Sequence, residues 1–117
     1  MTAYRHLQVN QVDDVTVVHF RNRKIIEDLS IQELGQELLH LVEVEKRGKL
    51  VLNFGSVDFL SSAALGKLIT LDKRVRAHSG RLRLCCIRPE IYEVFKITRL
   101  DRVFDIKREE ADALAAF

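Results

Sequence analysis

Two adjacent hydroxyls, Ser61 and Ser62, stand where an apolar run has ended and a helix begins, in the stretch Val51-Leu52-Asn53-Phe54-Gly55-Ser56-Val57-Asp58-Phe59-Leu60-Ser61-Ser62-Ala63-Ala64-Leu65-Gly66. A serine so placed sits at the positive end of a helix, where free backbone N–H groups favour negative charge. The chemistry it suits is phosphorylation. Serine is also a preferred N-cap, and a cap alone stabilises a helix by about 1 kcal/mol, so a purely structural reading stands beside the chemical one. Asp58, just before the pair, reads either as a solvated turn residue or as a carboxylate serving the serines.

Other chemistry is sparse. His6, His19, His40 and His78 fall on different expected elements and show no one-turn pairing of the kind a zinc-binding helix uses. No metal site and no catalytic histidine is expected. There is no glycine-rich phosphate loop and no nucleophile elbow, and no cofactor is implied. A catalytic site needs a nucleophile and a base in mutual reach, and the chain offers no such pair, so it reads as a non-enzyme. A small-ligand or enzymatic domain remains a rival only because the Ser56 to Ser62 turn lies at the carboxyl end of a strand.

The elements that must position the serines follow from hydrophobic patterning. Leu7, Val9, Val15, Val17 and Val18 mark a hairpin around Asn10 to Asp14. From Leu29 onward Leu34, Leu38, Leu41 and Val42 recur at helical spacing, and Ser30 with Glu33 has the form of a capping box. The expected helix runs from about Ile31 to Lys46 and stops at Gly48. Lys49 to Phe54 shows no alternation, as a central parallel strand buried on both faces would. A second helix is expected from Ser62 to about His78, with Leu65, Leu68, Ile69, Leu71 and Val75 inward and Lys67, Lys73, Arg74 and Arg76 outward. Arg81 to Ile87 reads as a strand, Pro89 to about Thr98 as a helix, Val103 to Ile106 as a last strand and Glu109 to Ala116 as a terminal helix. The fold class is α/β, a small mixed sheet built from an N-terminal hairpin and β-α-β units with helices packed on it.

The chain has 117 residues, enough for one domain with a core, and a single domain over residues 1–117 is expected. Nineteen Lys and Arg against 17 Asp and Glu leave a net charge of +2, which gives no broad field for nucleic acid or an anionic membrane. No apolar stretch approaches the roughly 20 residues of a bilayer span, and the N-terminus lacks a secretion signal, so a cytoplasmic location is expected. Alternation along Leu82 to Ile87 points Cys85 and Cys86 to opposite faces of a strand. A disulfide is not expected, in keeping with a reducing compartment.

The segment from Lys49 to Gly66 resembles the signature of STAS domains, above all the bacterial anti-sigma factor antagonists. In that family a buried strand with Asn near its end leads into an aromatic or apolar pair, then Asp-Ser-Ser-Gly or Asp-Ser-Thr-Gly, then Leu-Gly at a helix start. The matching residues are Asn53, Gly55, Phe59-Leu60, Ser61-Ser62-Ala63-Ala64 and Leu65-Gly66. The order of elements, with Gly80, Cys85-Cys86, Pro89, Phe95 and Leu100-Asp101, extends the resemblance over nearly the whole chain. Ser61 stands where the family has Asp, Ala63 where it has Ser or Thr, and Ala64 where it has Gly.

The resemblance implies a phosphorylation-switched protein-binding domain. Its unphosphorylated form binds an anti-sigma factor that is also a serine kinase, and phosphorylation ends the binding. The phosphoacceptor falls on Ser62, with Ser61 as the alternative. The family's acid at the start of the first helix falls at Glu27 or Asp28. The partner surface is expected to take in Asp58, Phe59, Leu60, Ser61, Lys67, Glu27 and Asp28, with Thr70 beyond them. A second reading keeps the fold and makes the chain a constitutive docking subunit of a transporter or a stress-sensing assembly, with Ser62 only a cap.

Overall fold

The computed structural model describes residues 4–117. Leu7–Val12 (β1) and Val15–Phe20 (β2) form the expected antiparallel hairpin, turned at Asp13, whose φ of 55° is one that short polar side chains tolerate. Lys24–Ile25 (β3) leads into helix α1, Asp28–Glu43. Lys49–Asn53 (β4), Phe59–Leu60 (β5) and helix α2, Ser62–Ala77, follow. Arg81–Cys85 (β6), helix α3 at Pro89–Ile97, a 3-10 turn at Leu100–Arg102, Asp105–Lys107 (β7) and helix α4 at Glu110–Ala115 complete the chain.

The main sheet has the order β1-β2-β4-β6-β7, and β4 lies at its centre, parallel to both neighbours. This is the position that its unbroken apolar run requires. Alternate residues of the central strands face two cores. Val18, Leu50, Leu52 and Leu84 turn toward the cluster made with α1, α2 and α3, which includes Leu38, Leu68 and Phe95. Val17, Val51 and Cys85 turn the other way, toward Ala113, Leu114 and Phe117. Among the described residues three helices thus cover one face and the short α4 alone covers the other.

Several boundaries differ from the sequence reading. Helix α1 starts at Asp28 with Glu27 as N-cap and no side-chain cap bond. Ser30 and Glu33 do not form a capping box, because Glu33 is drawn away to His6 and Arg5. Leu29, which precedes the expected helix start at about Ile31, lies in the first turn of α1 and is 72% exposed. The helix ends before Gly48 is reached. Lys46 takes the left-handed turn at φ 57°, and the Arg47 amide closes back onto the Leu41 carbonyl at 2.9 Å.

Strand β6 stops at Cys85, since Cys86 also adopts a left-handed φ of 61° and donates its amide to the Arg108 carbonyl. Both cysteines are free thiols, and burial pushes the Cys85 thiol pKa upward, which keeps it protonated and inert. The last strand begins two residues later than expected, at Asp105, after the 3-10 turn. Among the described residues no helix is long and apolar enough to cross a membrane.

Candidate functional site

The serines are positioned by a second, two-stranded sheet that the sequence pattern did not reveal. β3 and β5 pair in parallel, Lys24 opposite Phe59 and Ile25 opposite Leu60, and the Asp58 and Phe59 amides donate to the Arg23 carbonyl at 2.7 and 3.2 Å. Each strand runs directly into a helix, β3 into α1 and β5 into α2. Two helix N-termini therefore leave the ladder side by side in the same direction.

The turn between β4 and β5 is closed from within. The buried Asn53 accepts the Gly55 amide at 2.8 Å through Oδ1 and donates through Nδ2 to Glu110 at 2.9 Å, binding the turn to α4. A Cβ on Gly55 would lie 3.0 Å from Asn53 Oδ1, so the close approach favours glycine there.

The two hydroxyls have different roles. Ser61 is the N-cap in extended conformation, and its Oγ accepts the Ala64 amide at 3.2 Å. Ser62 is the first helical residue. It is exposed, and its hydroxyl makes no hydrogen bond among the described residues. The first turn of α2 holds no acid, so the positive end of this helix has no carboxylate of its own. The first turn of α1 does hold one, with Glu27 and Asp28 both exposed at the neighbouring N-terminus. The structure thus brings Ser61, Ser62, Glu27, Asp28, Phe59 and Leu60 to one edge.

Asp58 is neither a free carboxylate nor a freely solvated turn residue. Arg23 approaches it with Nε at 2.9 Å and Nη2 at 2.8 Å, and Arg88 with Nη2 at 3.0 Å. One carboxylate is engaged by two guanidiniums, one from before β3 and one from the N-cap of α3. Lys67, expected outward, is half-buried instead: its stem lies along α1, and a Cβ on Gly35 would come within 3.0 Å of Lys67 Cδ. Thr70 is exposed, its hydroxyl donating to the Gly66 carbonyl at 3.1 Å.

The structure adds apolar neighbours that sequence reasoning missed. Ile26 is 51% exposed and Phe59 57%, and with Leu29 they surround the paired helix starts. The signal available was the Ile25-Ile26 doublet, since in an extended chain only one of two adjacent side chains can face the core. Ile25 is buried and Ile26 is not. The Lys24 ammonium lies 5.5 Å from the centre of the Phe59 ring.

Among the described residues no group of three or more His, Cys, Asp or Glu side chains could hold a metal. The histidines serve structure: His6 is buried against Asn22 and Glu33, His19 Nε2 lies 3.3 Å from Glu110, and His40 lies against Tyr4 and Glu45.

Fold and site together define a class, a mixed-sheet α/β domain that displays a free hydroxyl at one helix N-terminus beside the acidic N-terminus of another. The chain belongs to the STAS domain family, whose model matches residues 6–113. It is 28% identical over 111 residues to a Bordetella bronchiseptica protein that bears the name anti-sigma factor antagonist BtrV, covering 95% of this chain and 93% of that one. A STAS domain protein of Planctomyces limnophilus superposes with a TM-score of 0.83 at 22% identity, over 97% of this chain and 98% of that one. The Bacillus cell-fate determinant SpoIIAA in its phosphorylated form superposes with a TM-score of 0.71 at 16% identity, over 94% and 97%.

Proposed function

We propose that this protein is an anti-sigma factor antagonist whose binding to an anti-sigma factor with serine kinase activity is ended by phosphorylation of Ser62. The carrying observation is the division of labour within the serine pair. Ser61 is occupied as the cap, whereas the Ser62 hydroxyl is exposed and unbonded at a helix end that lacks an acid. Membership in the STAS family and the names of the relatives support the partner class.

A phosphate adds a charge of about −1.5 to −2 and suits the N-terminus of α2 in the free protein. At an interface formed around a neutral hydroxyl and the apolar Ile26, Leu29 and Phe59, the same charge is desolvated and meets groups arranged without it. A penalty of only ~3 kcal/mol lowers affinity roughly a hundredfold. Glu27 and Asp28 beside the site add like-charge repulsion in both states, so they tune the switch rather than create it.

The test is capture of partners from the native host with wild-type, Ser62→Ala and Ser62→Asp baits, with mass spectrometry of partners and phosphosites. The proposal expects an ATP-binding anti-sigma factor on the wild-type and alanine baits, its loss from the aspartate bait, and phosphate on Ser62. Equal recovery of one partner by all three baits overturns the switch and makes the chain a constitutive docking subunit.

A further inference from the structure

At the end of the main sheet opposite the serines, a cleft of about 380 Å³ opens between the last turns of α2, the start of β6 and the approach to β7. Its wall carries four arginines, Arg76, Arg81, Arg83 and Arg102, and two carboxylates, Asp72 and Asp105. Both carboxylates are already engaged. Arg76 donates to Asp72 at 2.9 Å and to the Val103 carbonyl at 3.2 Å, tying α2 to the segment before β7. Asp105 lies 2.9 Å from Arg83 Nε and 3.4 Å from Lys107 Nζ. Arg81 and Arg102 are exposed, and among the described residues their guanidiniums have no ion-pair or hydrogen-bond partner.

We propose that this cleft binds a phosphoryl group carried by a small molecule. The Arg83 guanidinium is stacked on Phe117 and paired with Asp105, and Arg76 is paired with Asp72, which leaves Arg81 and Arg102 as two unpaired cations of the wall. Their charge matches the about −1.5 to −2 on a phosphomonoester at neutral pH. Guanidinium forks bind phosphate oxygens in pairs, and Arg81 and Arg102 have donors to spare. The cleft is open to solvent, and its volume falls within the roughly 300–1,000 Å³ of small-molecule sites. The net charge of the whole chain is only +2, so this positive excess is local and does not form the extended field that holds nucleic acid.

The floor of the cleft is fixed. The Gly80 amide donates to the Val75 carbonyl at 2.8 Å and the Arg81 amide to the Gly48 carbonyl at 2.7 Å. A Cβ on Gly80 would meet that Gly48 oxygen at 2.6 Å, so the backbones are in close contact where Arg81 departs. The negative end of α2 is offset by Arg74 and Arg76 in its last turn. The site is independent of Ser62, which lies beyond the other end of the strands.

The experiment is a ¹⁵N–¹H NMR titration of the full chain with inorganic phosphate and with pyrophosphate at constant ionic strength, sodium chloride serving as reference. Saturable shifts confined to residues 80–83 and 102–105 are expected. Affinity should fall at least about tenfold, about 1.4 kcal/mol, in an Arg81→Gln/Arg102→Gln double variant. It should be unchanged in Arg74→Gln, whose guanidinium pairs with Glu43 outside the cleft. Both replaced residues are exposed, so the double variant keeps its fold, which its spectrum verifies directly. Shifts that fail to saturate, that persist in the double variant, or that centre on residues 61–64 overturn the proposal.

Discussion

The Ser61 amide donates to the Ile25 carbonyl at 3.0 Å, and this bond fixes the start of α2 to the strand that feeds α1. Ser61 is thereby held twice, through its amide by β3 and through its hydroxyl as the cap of α2. Ser62, one residue on, is held by neither. The pairing of β3 with β5 is what separates a structural serine from an available one.

That separation predicts unequal stability effects for two adjacent alanines. Ser61→Ala removes the acceptor of the Ala64 amide and should cost about 1 kcal/mol, lowering the melting temperature by a few degrees. Ser62→Ala removes an unbonded hydroxyl from an exposed first-turn position and should fall within about 0.5 kcal/mol of wild type. Thermal and urea unfolding of the two variants check this. A larger loss in Ser62→Ala would mean that its hydroxyl caps the helix and is not free for modification.

Phe59 separates binding from folding. Its ring is more than half exposed, so Phe59→Ala should change stability by no more than about 0.5 kcal/mol. Truncated apolar anchors at protein interfaces commonly cost more than about 1.4 kcal/mol, a tenfold loss of affinity. Calorimetry with the captured partner should therefore show at least that loss for Phe59→Ala, beside an unfolding curve superimposable on wild type. Unchanged affinity would remove Phe59 from the partner surface.

What could be read from the sequence, and what could not, divides along physical lines. The segment Leu50 to Phe54, apolar without alternation save for Asn53, had a single consistent placement at the centre of a parallel sheet, and the hydroxyl pair before Leu65 had one as a helix start. The β3–β5 ladder was hidden because two residues carry no periodicity. The left-handed turns at Lys46 and Cys86 were hidden because neither residue is a glycine or asparagine. The start of α1 was misread because Glu33, spaced correctly for a capping box, is held by His6 across the chain. The double engagement of Asp58 depends on Arg23 and Arg88, which only the tertiary fold brings together.

Gly80 is constrained by space rather than by backbone angle. Its amide bonds the Val75 carbonyl, and a methyl group there would strike the Gly48 carbonyl oxygen, a backbone atom that cannot rotate away. Gly80→Ala should cost about 1–3 kcal/mol as the start of β6 shifts from the end of α2. Gly48→Ala is the matched control, since a Cβ there would meet nothing within 4 Å. Urea unfolding of both variants decides the point, and equal midpoints would mean that the turn relaxes freely.

His6 should make the stability of this domain fall as pH rises above neutrality. The ring is buried, with Nδ1 3.1 Å from Asn22 Oδ1 and Nε2 3.0 Å from Glu33 Oε1, while Glu37 accepts the His6 amide. Burial alone would lower the ring's pKa. The bonds to Glu33 and Asn22 and the charges of Glu37 and Glu33 outweigh that and hold it above its ordinary value. With oxygen acceptors at both nitrogens, the doubly protonated ring is the form the site fits. The native state therefore binds more protons than the unfolded chain near neutrality, and stability falls with rising pH. The contribution is complete below the unfolded pKa of about 6.5 and is lost as pH rises through the higher folded value. Denaturant unfolding of wild type and His6→Gln across about pH 5.5 to 8.5 isolates the effect, because other titrating groups cancel in the difference. The advantage of wild type over the variant should shrink steadily above about pH 6.5. An advantage that stays constant or grows would show that the buried ring is neutral and that Glu33 does not hold its proton.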